Sequence, residues 1–219
     1  LQRTLTPLIY QSGIGQDAQK IYKDAMFYYA LIGCFFLIVM DVLAPSFLQY
    51  FATKDYLSGA AIIPWITLAY FINGFRSFFR SSLALKDKTT VLGWIGIITI
   101  ILNIGLNFLL IRELGVTGAV IATVISYLFV VSCIYFNAQR IMRIDWKWIR
   151  LIKLATITLI TIFCYHGLFR LGIHSNIFAV LLSLVLFCVS LLITKTIGWR
   201  EINGIKLIFH KLKMLSEEE

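Results

Sequence analysis

The sequence predicts an all-α, polytopic membrane protein, and three observations carry that reading. Of 219 residues, 59% are hydrophobic and only 14% are charged. The mean hydropathy is +0.85, well beyond the apolar content of an ordinary soluble domain. The apolar residues also gather into six runs, each near the roughly 20 residues that a helix needs to cross a bilayer.

In chain order, residues 1–24 read as the end of a preceding helix, "TLTPLIY", followed by a polar connection. The start at Leu1 rather than Met makes the chain read as a fragment. The six-helix transmembrane domain then covers residues 25–198, with spans expected at Met26 to Phe51, Leu57 to Phe75, Val91 to Ile111, Val116 to Phe136, Leu151 to Phe169 and Ile177 to Thr194. Pro64 is expected to bend the second span, with Thr67 or water replacing the backbone bond it removes. The third and fourth spans form an antiparallel hairpin across the short connection Arg112 to Gly115. Gly118, Ala119, Ala122, Thr123 and Ser126 gather on one side of the fourth span, where small residues let backbones approach. Residues 199–219 form a tail whose Ile202, Ile205, Ile208, Phe209, Leu212 and Leu215 share one face, an amphipathic helix suited to an anionic leaflet, closed by Glu217 to Glu219.

Charge orders these spans. Seventeen of the 20 basic residues lie at the start, in the second and fourth connections and in the tail. Lys54, Arg112 and Arg170 stand alone in the alternate connections. This alternation places both ends in the cytoplasm by the positive-inside rule. A nucleic-acid surface has no reason to alternate with apolar runs, so the pI near 9.5 reports topology and not DNA or RNA binding. Cys34, Cys133, Cys164 and Cys188 all fall inside apolar runs, without metal-ligand or disulfide spacing, and read as packing residues. His166, His174 and His210 are scattered. No cofactor, metal site or catalytic cluster is expected, and the chain does not read as an enzyme.

Polar side chains inside the spans are the candidate functional residues. Gly96, Thr99, Asn103 and Asn107 fall within an arc of about 80° at about 100° per residue, so one polar stripe runs along the third span. An unpaired buried amide costs about 1–3 kcal/mol, so the stripe faces either another helix or a wet cavity. In the second span Asn73, Ser77 and Arg80 share a face, with Arg76 beside them. Both arginines either snorkel to the headgroups or offer a guanidinium fork to an anion. Asp41, before Pro45, is the lone carboxylate within an apolar run. It is either a boundary residue or a coupling group.

Taken in order, "LAPSFLQYF" with Tyr56 and Ala60, "YLSGAAIIPWITLAYFINGF", the Lys86 and Lys88 turn of "LALKDKTT", and "ILNIGLNFLLIRELGVTGAVIATVISY" resemble the C-terminal half of a polysaccharide or O-antigen flippase. That family belongs to the multidrug/oligosaccharidyl-lipid/polysaccharide exporter superfamily. The resemblance covers most of residues 1–140; beyond it the match is one of hydropathy alone. Arg112 departs from the pattern, since many relatives have proline there. The family's fold implies that these six helices form most of one lobe of a two-lobed twelve- or fourteen-helix transporter, whose N-terminal lobe is the partner. The implied activity is flipping of undecaprenyl-pyrophosphate-linked oligosaccharide repeats across the bacterial inner membrane for O-antigen, capsule or exopolysaccharide assembly. Arg76, Arg80 and Lys153 would then offset the anionic head, Asn73, Asn103 and Asn107 would bond sugar hydroxyls, and Asp41 would serve coupling. The competing readings are a multidrug or cation antiporter of the same superfamily and a membrane-embedded sugar or acyl transferase, for which no acid or histidine cluster is visible.

Overall fold

A computed structural model describes residues 16–51, 59–84, 88–141, 143–170 and 176–193. The expected residues 1–15, the charged turn at Lys86, His174 and the amphipathic tail over 199–219 lie outside the described residues. All regular structure among the described residues is helical: α1 (Gln16–Phe51), α2 (Ile63–Ala84), α3 (Thr89–Leu114), α4 (Val116–Ile141), α5 (Trp148–Arg170) and α6 (Asn176–Ile193). Four stretches are long and apolar enough to cross a membrane: Tyr22–Ala44 of α1, all of α3, all of α4, and Trp148–Gly167 of α5. The chain is therefore helical and of multi-pass membrane character. It divides into two compact units, residues 1–147 and 148–219.

Two boundaries differ from the expectation for physical reasons. The second span is displaced toward the C-terminus, running Ile63–Ala84 where 57–75 was expected. Hydropathy ended it at the arginines, whereas the helix continues through Arg76 and Arg80, both good helix formers. Pro64 consequently falls in the first turn of α2 and not in its interior. An N–H there has no intrahelical acceptor to lose, so Pro64 removes no backbone bond from the helix interior. Thr67 Oγ1 instead donates to the Ile63 carbonyl within that turn, at 2.8 Å. At the other boundary, Arg112 to Leu114 remain helical, so the hairpin turn narrows to Gly115 alone. Its φ of 58° is one that side-chain-bearing residues rarely adopt. Its N–H closes α3 on the Ile111 carbonyl at 2.8 Å.

In the first unit, α2 lies between α1 and α4, and α3 packs on α4. Helices α1 and α2 are antiparallel and meet large-into-small. Gly33 lies against the Phe71 ring and Gly74 against the Tyr29 ring. Tyr29 stacks on Phe71 at 5.6 Å and meets Phe75 edge-on at 5.2 Å. Its hydroxyl donates to the Phe71 carbonyl at 2.8 Å. The parallel pair α2 and α4 is joined by Phe79 against Tyr135 at 5.1 Å. Helix α4 buries Gly118, Ala122, Ser126, Val130, Ile134 and Ala138, a stride of four that forms one continuous ridge. Helix α3 is buried only at Ile95 and exposes Trp94, Ile97, Ile101, Ile104 and Phe108.

In the second unit, α5 packs on α6. Leu154, Ile157, Thr158, Thr161 and Tyr165 make the buried face of α5, and Ser183, Phe187 and Leu191 that of α6. Thr158 and Thr161 satisfy their hydroxyls on the carbonyls of Leu154 and Ile157, both at 2.9 Å. All four cysteines are free thiols; Cys34 is buried, whereas Cys164 and Cys188 are exposed, so the expected packing role does not extend to them.

Candidate functional site

The polar stripe of α3 is satisfied partly within the helix and partly by α4. Asn107 Nδ2 donates to Asn103 Oδ1 at 2.9 Å, and Asn103 Nδ2 donates across the helix pair to Ser126 Oγ at 3.0 Å. Ser126 Oγ in turn donates to the Ala122 carbonyl at 2.7 Å. The stripe thus forms a relay ending in backbone. Thr99 meets its own demand on the Ile95 carbonyl, at 2.6 Å. The relay fits because the hairpin is close: Gly118 lies against the Leu110 backbone carbonyl, with no room for a Cβ.

A second polar surface runs along α2. Tyr70, Asn73, Arg76, Ser77 and Arg80 follow a spacing of three and four residues, and α4 contributes Tyr127. The Tyr70 and Tyr127 rings lie 5.9 Å apart. Arg76 is half-buried and Arg80 exposed. Asn73 Oδ1 is buried, and among the described residues it accepts no hydrogen bond. An acceptor in that state costs about 1–3 kcal/mol. A guanidinium, an unsatisfied amide oxygen and a phenol on one face of α2, with a second phenol from α4, can bind a ligand that carries both negative charge and hydroxyl donors.

The expected residues therefore separate. Asn73, Arg76 and Arg80 share the face of α2 that meets Tyr127, while the amides of Asn103 and Asn107 are engaged between α3 and α4. Asp41 is buried within α1, 8% exposed. Lys153 is an exposed residue of the second unit. Sequence reasoning missed Tyr70 and Tyr127. Tyr70 lies three residues before Asn73 on the same helical face, which was the signal available for it.

Basic side chains also meet where α4 ends. Tyr135, Phe136, Gln139, Arg140, Arg143, Ile144 and Asp145 line an open cleft of about 660 Å³. The Gln139 amide holds the far wall by two bonds to Ile144, donating to its carbonyl at 2.8 Å and accepting from its N–H at 3.0 Å. Ile144 and Trp146 are buried, and Trp146 meets Phe79 edge-on at 5.2 Å. Among the described residues no group of three or more His, Cys, Asp or Glu side chains is placed to hold a metal.

Compared with family models, curated proteins and solved structures, the chain matches none. The helices and the residues above define a multi-pass, all-helical membrane protein with a cationic, amide-bearing helix face.

Proposed function

We propose that this chain is most of one lobe of a flippase that carries undecaprenyl-pyrophosphate-linked oligosaccharide from the cytoplasmic to the outer leaflet of the bacterial inner membrane. Both described ends of the helical domain face the cytoplasm in this reading, as the charge alternation requires. The product would feed O-antigen, capsule or exopolysaccharide assembly.

The polar face of α2 carries the reading. Arg76 and Arg80 suit a pyrophosphate, since guanidinium forks match phosphate oxygens. Asn73 Oδ1, buried without a donor among the described residues, suits a sugar hydroxyl, whose O–H would recover the cost of the orphaned oxygen. Tyr70 and Tyr127 offer an amphipathic wall of the kind sugars stack on. Asn103 and Asn107 support the lobe by fixing α3 to α4. A cation antiporter is the second reading, favoured by one observation: the buried carboxylate of Asp41.

The test separates function from stability. In the full-length protein, Asn73→Leu keeps side-chain volume and deletes the orphaned acceptor. We expect unchanged or raised thermal stability, unchanged protein level, and reduced surface polysaccharide; Arg76→Gln and Arg80→Ala should reduce polysaccharide too. Normal polysaccharide in all three variants would remove this face from the mechanism. Deleting the gene should lower surface glycan while leaving drug susceptibility as it was; the opposite pattern would favour the antiporter.

A further inference from the structure

The cleft at the end of α4 has no part in the face just described, and its chemistry differs. Arg140 and Arg143 are both exposed on its rim, three residues apart, where the helix gives way to the irregular segment 143–147, turned on itself by the Trp146 N–H donating to the Ile144 carbonyl at 3.0 Å. Among the described residues neither guanidinium is paired with a carboxylate. The segment alternates: Ile144 and Trp146 are buried, Arg143, Asp145 and Lys147 exposed. With the Gln139 clamp, this alternation fixes Arg143 and Asp145 outward on a wall anchored in the core. Cleft volume, about 660 Å³, falls within the roughly 300–1,000 Å³ typical of small-molecule sites.

Its surroundings indicate what occupies it. Above the cleft, α4 exposes Leu128, Ser132 and Phe136 in line with Arg140, at spacings of four and continuing from Ile121 and Ile125. An apolar track therefore runs from a membrane-spanning helix directly into a cationic mouth. Free phosphate has no use for the track, whereas a phospholipid fills both parts. The carboxylate of Asp145 would repel a bare phosphate but accepts a hydroxyl. Two cations and one anion thus match a headgroup bearing one phosphodiester and a free hydroxyl.

We propose that this cleft binds an anionic, hydroxyl-bearing phospholipid of the phosphatidylglycerol type, its phosphodiester held by Arg140 and Arg143 and its headgroup hydroxyl donating to Asp145. The acyl chains lie along Phe136, Leu128 and Ile125. Basic pockets at the boundary of membrane helices are established lipid sites in general. The proposal needs α4 to span a bilayer and does not depend on what the protein transports.

The full chain, purified in detergent, is delipidated and titrated with phosphatidylglycerol, phosphatidic acid, phosphatidylcholine or inorganic phosphate, and bound lipid is counted by native mass spectrometry. Wild type should retain phosphatidylglycerol over phosphatidylcholine. Arg140→Gln with Arg143→Gln should weaken retention about thirtyfold, the joint effect of two basic side chains at an anionic surface. Asp145→Ala, which removes the acceptor, should erase the preference for phosphatidylglycerol over phosphatidic acid, which lacks the headgroup hydroxyl. Equal retention of phosphatidylglycerol and phosphatidylcholine by wild type would overturn the proposal, as would competition by millimolar inorganic phosphate that displaces the lipid. If the double variant elutes as an aggregate, the single variants Arg140→Gln and Arg143→Gln replace it; full retention of phosphatidylglycerol by both would overturn the proposal.

Discussion

The first unit joins its helices in two different ways. At the α1/α2 contact, two glycines receive aromatic rings from the opposite helix, and most of the attraction is ring packing around Tyr29. The α3/α4 contact has one glycine set against backbone and a chain of amides and hydroxyl, Asn107 to Asn103 to Ser126. Bilayer lipid removes the hydrophobic drive for helices to associate, leaving dispersion and hydrogen bonds. Each contact carries a hydrogen bond between helices, Tyr29 to the Phe71 carbonyl and Asn103 to Ser126, but the first sets it among aromatic rings and the second among small residues and backbone. They should consequently fail differently: a ring can turn aside, but a carbonyl on a helix moves only with its helix.

The largest expected effect follows from that asymmetry. Gly118→Ala puts a methyl group into the Leu110 carbonyl, so α3 must move away from α4, at an overpacking cost of about 1–3 kcal/mol. Gly74→Ala meets only the Tyr29 side chain. Its strain is offset by the roughly 1 kcal/mol that alanine gains over glycine inside a helix. Equilibrium unfolding in mixed micelles should rank Gly118→Ala clearly below Gly74→Ala; the reverse order would show that the aromatic contact is the stiffer one. A smaller effect sharpens the point. Tyr29→Phe removes the hydroxyl nearest Gly74 together with its 2.8 Å bond to Phe71, so Gly74→Ala should be milder in the Tyr29→Phe background, a coupling read by a double-mutant cycle. Smallest is Ser126→Ala, which deprives Asn103 of its acceptor across the hairpin at about 0.6 kcal/mol. A loss several times larger would mean that the relay, and not Gly118, sets the register.

How much of this was legible in the sequence varied by element. Hydropathy located α3, α4, α5 and α6 to within a few residues, because there the apolar run and the helix coincide. It misplaced α2, since Arg76 and Arg80 end an apolar run without ending a helix, and it started α1 ten residues late because Lys20, Lys23 and Asp24 are helical yet polar. Period arithmetic gathered Asn103 with Asn107 and Asn73 with Arg80, each onto one face, but a single helix cannot reveal what faces it. Ser126 as the partner of Asn103 depends on how far the hairpin closes. The Gln139 clamp was illegible for a related reason: a glutamine looks the same in sequence whether it meets water or a neighbouring backbone.

Gly115 also works as a length standard. One residue of turn leaves no slack, and Asn103 lies twelve positions before it and Ser126 eleven after, so both arms are measured from the same pin. Adding one residue to either arm would turn its far part by about 100° and carry Asn103 away from Ser126. The hairpin thus tolerates exchange of residues along its outer faces far better than any change in their number.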